Sequence, residues 1–156
     1  MSFSNAYNIT IPDQSTSITY SPYRDGVDSA HGWKAMYSSS DESTYNPNST
    51  ENKAFGVSSH FTTLVGASFQ IDFMGSAITL FGSGLSSYTT ALDGGDPNAQ
   101  DAQGGILARY TSLDFKPHVL VLNVTGSVGE RERGLTFTKA NITIGIGHPG
   151  CVLLLF

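Results

Sequence analysis

Short stretches in which apolar and polar residues alternate at every second position run along most of the chain. The clearest stretch is 67–82, which holds two apolar series on either side of a turn at Gly75-Ser76: Phe69, Ile71 and Phe73, then Ile78 and Leu80. Because successive side chains of a strand point to opposite faces of the sheet, this period predicts half-buried β-strands. No window carries apolar residues at helical spacing for more than about two turns.

The same alternation, bounded by turn residues, predicts a series of short strands and no βαβ units. The candidates are Tyr7–Ile11, Ser17–Tyr20, Gly32–Tyr37, Ala54–Thr63, Ala67–Phe73, Ala77–Phe81, Ser87–Leu92, Gly105–Tyr110, His118–Thr125 and Leu135–Ile146. A length of 156 residues predicts a single domain, 1–156, with a core over about 7–146 and 147–156 as a last strand or the start of a truncated tail. The pattern therefore predicts an all-β sandwich or barrel.

Composition narrows the classes of partner. The net charge is −5, and the basic pair Arg131 and Arg133 is neutralised by neighbouring glutamates, which argues against nucleic acid. With Cys151 as its one cysteine, the chain can form no internal disulfide and no multi-cysteine zinc site. The apolar run Cys151–Phe156 is too short to span a bilayer, so no membrane insertion is expected of this chain, although the run is also compatible with the opening of a longer membrane segment.

Four Asn-x-Ser/Thr sequons favour a secreted or cell-surface glycoprotein, with glycosylation predicted at Asn8, Asn48, Asn123 and Asn141. Three of these asparagines, Asn8, Asn123 and Asn141, fall on predicted strands. We expect the side chains of Asn123 and Asn141 to point outward while Leu122 and Ile142 point inward.

Five stretches, in this order, resemble the jelly-roll, galactose-binding-like ectodomains of many basidiomycete secreted and single-pass membrane proteins. They are Ile9–Ser21 with Gly32-Trp33, Gly66–Gly82, Tyr88–Gly94, His118–Thr125 and Leu135–Thr143. The resemblance implies an antiparallel jelly-roll β-sandwich with a galactose-binding-domain-like fold, and an extracellular location. Most such domains have no assigned activity, so the resemblance carries over no catalytic residue.

Motifs for catalysis and metal binding are missing from the sequence. It holds no Gly-x-Ser-x-Gly, no His-Glu-x-x-His and no phosphate-binding Gly-x-x-x-x-Gly-Lys, and its four histidines are isolated along the chain. We therefore expect no enzyme activity and no cofactor. Structural calcium is possible at two loops, but solvated carboxylates are favoured there: Asp25 and Asp28 in one loop, and Asp93, Asp96, Asp101 and Gln103 in the other. Two further expectations are structural: Asp93 is expected to bond its own turn, and His118 to bond a turn carbonyl.

A binding site is predicted on loops. If successive strands run antiparallel, Ser38–Lys53, Asp93–Gly104 and Gly126–Gly134 share one end of the sandwich, where binding sites are common. This end would unite one aromatic face with polar groups: Tyr45, Asp96, Asn98, Arg131 and Arg133. Trp33, in contrast, is expected in the core. Such a site is suited to a neutral glycan or cell-wall polysaccharide.

The sequence thus predicts a non-catalytic extracellular carbohydrate-binding or cell-surface recognition module. A structural or adhesive ectodomain that binds protein or itself is the alternative, and a glycoside hydrolase is the third possibility. An aromatic platform with convergent polar groups would favour sugar, and a flat apolar patch would favour protein. A cleft with paired carboxylates would favour the hydrolase.

Overall fold

The computed structural model describes residues 6–38, 56–127 and 134–145. Within them the chain forms eleven β-strands in two antiparallel sheets, which confirms the predicted all-β jelly-roll sandwich. The strands are β1 (Ala6–Pro12), β2 (Ile18–Ser21), β3 (Lys34–Tyr37), β4 (Ser58–Thr62), β5 (Ser68–Gly75), β6 (Ala77–Gly84), β7 (Ser86–Leu92), β8 (Asn98–Gln100), β9 (Ile106–Tyr110), β10 (Lys116–Ser127) and β11 (Leu135–Gly145).

The order of the strands differs from their order along the chain. In the first sheet the order is β3-β4-β11-β6-β9, and β1 pairs with the later part of β11. In the second sheet the order is β2-β5-β10-β7-β8. The long strands β10 and β11 therefore lie at the centre of their sheets, each between two strands that come much earlier in sequence.

The core lies between the two sheets and is built from the predicted alternation. Phe69, Ile71 and Phe73 of β5 are buried, and their neighbours along the strand are not. The ring of Phe69 packs across the gap on Phe137 of β11, with 4.6 Å between centroids. Trp33 is fully buried, as predicted, and its indole N–H donates to the carbonyl of Ser68 at 2.9 Å.

A β-bulge changes the inward positions of β11 partway along the strand. Phe137 pairs with Gly82 but Lys139 pairs with Phe81, so Thr138 is the extra residue. Before the bulge Leu135 and Phe137 are buried, and after it Ala140 and Ile142 are buried. The bulge therefore turns Asn141 to the outer face, although strict alternation from Leu135 would have turned it inward.

The sequon asparagines of β10 and β11 lie on the outer faces of their sheets. Asn123 and Asn141 are half-buried, whereas the adjacent Leu122 and Ile142 are fully buried, as expected from their positions. Asn141 accepts a hydrogen bond from Thr10 on the neighbouring strand at 3.0 Å. Asn48 lies outside the described residues, and glycosylation at all four asparagines stays a prediction.

The turn after β7 has the left-handed backbone that its sequence predicts. Gly94 has φ of 72° and Asp93 has φ of 53°, and the N–H of Gly95 donates to the carbonyl of Leu92 at 3.0 Å. This confirms that a glycine of the turn has positive φ, a conformation that costs glycine little.

Candidate functional site

An opening with an apolar ring and converging polar groups lies on the outer face of the first sheet. Register places Phe61 of β4, Thr136 of β11 and Ser83 of β6 in one row across three neighbouring strands. A groove of about 490 Å³ follows this row, and we call it the Phe61 groove. Its lining residues are Phe61, Gly82, Ser83, Gly84, Leu85, Ala102, Gly105, Gly134 and Thr136.

Glycines keep the Phe61 groove open. A Cβ on Gly134 would lie 1.9 Å from Cε2 of Phe61, so the ring packs directly on the backbone of that glycine. A Cβ on Gly82 would lie 2.0 Å from the carbonyl oxygen of Thr136, and one on Gly84 would lie 2.7 Å from the carbonyl oxygen of Gly134. Side chains at these positions would fill the groove or force the strands apart.

The lining combines an aromatic ring with hydroxyl groups. Phe61 is half-buried, Ser83 is exposed and Thr136 is half-buried, while Leu85 is 65% exposed at the rim. None of the lining residues that the structure describes has an ionisable side chain. An apolar ring face with hydroxyl donors and acceptors suits a neutral, hydroxyl-rich ring compound better than an ion.

Two of the five residues of the predicted loop site lie in the part of the chain that the structure describes. Tyr45, Arg131 and Arg133 lie outside the described residues, while Asp96 and Asn98 are exposed. Gly126 and Gly134 lie at one end of β10 and β11, whereas the turn at Asp93 lies at the other, because its N–H donates to the carbonyl of Val119 near the start of β10. The prediction that the loops share one end is therefore wrong for the turn at Asp93.

Strand β8 is the reason why the turn at Asp93 and the ends of β10 and β11 at Gly126 and Gly134 lie at opposite ends of the sandwich. After the turn at Asp93 the chain reverses and pairs with β7 from Asn98 to Gln100, so that Gly104 and Gly105 return to the end near Gly82. The stretch 93–104 is thus not one loop but a turn, a strand and a second turn. In an antiparallel series each strand moves the chain to the other end of the sandwich. A count that omits β8 therefore assigns the loops that follow it to the wrong end.

Three histidines pair with aspartates, and in two of the pairs the partners are distant in sequence. In each pair Nδ1 lies 2.7 Å from a carboxylate oxygen, as in the Asp–His half of a Ser–His–Asp triad. The pairs are Asp28–His31, Asp13–His60 and Asp93–His118. Sequence inspection missed them because two of the pairs are separated by 47 and 25 residues.

The second ring nitrogen decides what each pair can do. Nε2 of His60 lies 3.2 Å from Asp25, and Nε2 of His118 lies 2.8 Å from the carbonyl oxygen of Asp114. Both imidazoles are therefore fully used in holding loops, and the turn-carbonyl contact expected of His118 is present. His31 is 79% exposed, and within the described residues no serine hydroxyl contacts its Nε2.

Asp93 bonds across the sandwich end and not to its own turn, which corrects the expectation. Its carboxylate accepts from the backbone N–H of Val119 at 2.9 Å and contacts His118 at 2.7 Å. The Val119 hydrogen bond, and after it the His118 hydrogen bond, holds the pKa of Asp93 below its ordinary value.

This lowered pKa predicts a pH dependence of stability. A carboxyl whose pKa is lowered by folding stabilises the protein above its unfolded pKa and loses that effect as the pH falls through the folded pKa. We expect the free energy of unfolding to decrease below about pH 4, and we expect Asp93→Asn, which tolerates the same backbone, to flatten that decrease. Urea unfolding between about pH 6 and about pH 3 measures the free energy of unfolding of the wild type and of the Asp93→Asn variant. Parallel curves would contradict the expectation.

The part of the chain that the structure describes has no group of three or more metal-ligating side chains close enough to hold an ion, and structural calcium stays untested. Among the same residues, no helix has the length and apolar character needed to span a bilayer.

Solved structures that are similar in fold to this chain include carbohydrate esterases. The family two carbohydrate esterase from Cellvibrio japonicus matches with a TM-score of 0.53 and 12% identity over 88% of this chain and 34% of its own. A two-domain esterase (CEX) active on acetylated mannans, co-crystallised with mannopentaose, matches with a TM-score of 0.56 and 13% identity over 90% of this chain and 37% of its own. No protein-family profile and no characterised protein sequence matches.

This comparison establishes the fold and corrects the predicted function. The chain spans about a third of the length of the esterases it matches, with 34% and 37% of their chains covered. Identity at this level shows the fold alone. These neighbours, which are enzymes, contradict the expectations of a non-catalytic module and of no enzyme activity. They are esterases, so the adhesive alternative and the glycoside hydrolase are not supported either.

Proposed function

We propose that this chain forms the β-sandwich of a carbohydrate-active esterase, and that its Phe61 groove receives the polysaccharide from which the ester group is removed. The observation that carries the proposal is the fold match over 88% to 90% of the chain to esterases that act on carbohydrates. The groove adds a second, independent argument, because its lining suits sugar rings.

The groove favours a neutral polysaccharide. Sugar rings have an apolar face that packs on an aromatic side chain, and their hydroxyls bond to short polar side chains. Phe61 supplies the ring, and Ser83 and Thr136 supply hydroxyl groups beside it. The net charge of −5 disfavours anionic polymers such as uronates. Acetylated cell-wall polysaccharides of neutral sugars fit both requirements.

A glycoside hydrolase would need a different lining. Cleavage of a glycosidic bond uses two carboxyl groups on opposite sides of the scissile bond. The Phe61 groove is lined by no carboxylate among the described residues. We therefore propose cleavage of an ester on the polysaccharide and not cleavage of its backbone.

Acetate release by the full natural protein tests the proposal. We expect release from acetylated mannan or acetylated xylan, and we expect kcat/KM on acetylated oligosaccharides to exceed that on p-nitrophenyl acetate by about tenfold or more, because only the oligosaccharide contacts the groove. Chemically deacetylated mannan serves as the control for free acetate. Absence of acetate from every acetylated polysaccharide, with the protein shown to be folded, would overturn the proposal.

Location follows from the same proposal. An enzyme that acts on cell-wall polysaccharide must meet its substrate outside the cell, and the four sequons support secretion or display at the cell surface. Fungal origin, suggested by the resemblance of the sequence motifs, remains a proposal of the same kind.

A further inference from the structure

A tight hairpin borders the Phe61 groove and separates it from a second opening. Gly104 and Gly105 have φ of 58° and 79°, as in the two-residue turns that join antiparallel strands. Gln103 and Ile106 exchange two backbone hydrogen bonds of 3.0 and 2.9 Å across this turn. The N–H of Gly82 donates to the carbonyl of Gly105 at 3.0 Å, which fixes the hairpin to β6.

The second opening is a polar cleft of about 520 Å³ between the edge strands β8 and β9, and we call it the Arg109 cleft. Its lining residues are Ala99, Gln100, Asp101, Gln103, Ile106, Leu107, Ala108 and Arg109. The hairpin contributes to both openings, because Gly105 lines the Phe61 groove and Gln103 lines the Arg109 cleft.

The polar side chains of the Arg109 cleft have no partners among the described residues. No hydrogen bond or ion pair engages the side chains of Gln100, Asp101, Gln103 or Arg109 there. The planar guanidinium of Arg109 offers several N–H donors. The amides of Gln100 and Gln103 both donate and accept, and the carboxylate of Asp101 accepts. This set matches the paired donors and acceptors of sugar hydroxyls.

The two openings are complementary in chemistry and close in space. The Phe61 groove offers an apolar ring, and the Arg109 cleft offers hydrogen-bonding groups. Arg109 pairs with Thr79, four positions from Ser83 on β6, which is about 13 Å along the strand. That distance exceeds one sugar ring, so a ligand that fills both openings must be an oligosaccharide.

We infer that the Arg109 cleft is a hydrogen-bonding subsite for the same neutral polysaccharide, and that one glycan chain crosses the Gly104-Gly105 turn to occupy both openings. The inference rests on the proposed function and adds the extent and polarity of its site. Two linked subsites act on one chain, so affinity increases with chain length until both are filled.

Calorimetric titration with unacetylated mannobiose and mannohexaose tests this inference. For the wild type we expect the hexaose to bind about tenfold more tightly than the biose. The double variant Gln103→Ala with Arg109→Ala should lose most of the difference in affinity between the hexaose and the biose. Its affinity for the biose should change little. Lys116→Ala, which removes an exposed cation from the start of β10, is the matched control and should keep the full gain.

The outcomes separate this inference from the proposed function. Equal affinity for the two oligomers, no binding of either one, or an unchanged gain in the double variant would overturn the subsite. None of these results affects acetate release from the acetylated polymer, which tests the proposed function on its own. Far-ultraviolet circular dichroism and urea unfolding of each variant verify that the fold is retained.

Discussion

Replacing Asp13 by alanine is expected to lower the free energy of unfolding by about 3 to 5 kcal/mol. Asp13 is 1% exposed, and its carboxylate accepts from the Ser58 hydroxyl at 2.5 Å and contacts Nδ1 of His60 at 2.7 Å. His60 is fully buried, and its ring stacks on Tyr20 with 4.5 Å between centroids. Removing the carboxylate leaves the buried imidazole of His60 and the half-buried hydroxyl of Ser58 without this acceptor.

Urea unfolding of the variant measures this effect, and Asp28→Ala is its matched control. Asp28 also holds the Nδ1 of a histidine at 2.7 Å, but both side chains are more than half exposed. Exposed ion pairs contribute little, so we expect the control to lose much less stability than Asp13→Ala. Similar losses in the two variants would show that burial of the Asp13–His60 pair does not govern its contribution.

Replacing Gly82 by alanine is expected to cost about 3 kcal/mol of stability, because the new methyl group has no room. Its Cβ would lie 2.0 Å from the carbonyl oxygen of Thr136 and 2.8 Å from Cδ1 of Leu107. The first contact is with backbone, so β6 and β11 must separate at the position where Gly82 pairs with Phe137. The same shift deforms the wall of the Phe61 groove.

Gly126→Ala is the matched control for this substitution. Gly126 lies in β10, its φ is not positive, and its Cβ would meet only Cβ of Ser87 at 4.0 Å. An alanine there should leave stability unchanged or raise it by about 0.5 kcal/mol, through the reduced entropy of the unfolded chain. Thermal unfolding compares the two variants. A Gly82 variant as stable as the Gly126 variant would contradict the predicted steric conflict.

The alternation of apolar and polar residues was enough to predict most of the fold. It predicted ten of the strands, and it is clearest in β5, where the buried Phe69 and Ile71 alternate with less buried neighbours. It missed β8, whose sequence Asn98-Ala-Gln100 has no apolar alternation and whose pairing depends entirely on β7. Because this one strand was missed, the loops that follow it were assigned to the wrong end of the sandwich.

The candidate site was less accessible to sequence reasoning. The Phe61 groove depends on glycines of β6 and of the segment before β11, which are adjacent in space but about 50 residues apart in sequence. A glycine in a strand signals close approach of another group but does not say which group approaches. Loops were favoured over a sheet face because binding residues are frequent on loops.

The absence of catalytic motifs led to the wrong functional class. Motifs such as Gly-x-Ser-x-Gly report a particular local geometry, and an esterase built on another arrangement need not contain them. The three Asp–His pairs show the same limit, since His60 and Asp13 come together only through the pairing of β1 and β4 with β11. Fold comparison supplied the likeness in fold to carbohydrate esterases, which no motif had indicated.

The most direct test of the account is the KM for acetylated mannan after the Phe61 groove has been blocked. Ser83→Trp places a large side chain on the exposed position at the centre of the groove, and Ser87→Trp places the same side chain on the exposed outer face of the other sheet. We predict that Ser83→Trp raises KM for the polymer about tenfold with little change in activity on p-nitrophenyl acetate, and that Ser87→Trp changes neither. Equal KM values for the polymer in both folded variants would contradict the claim that this groove receives the polysaccharide.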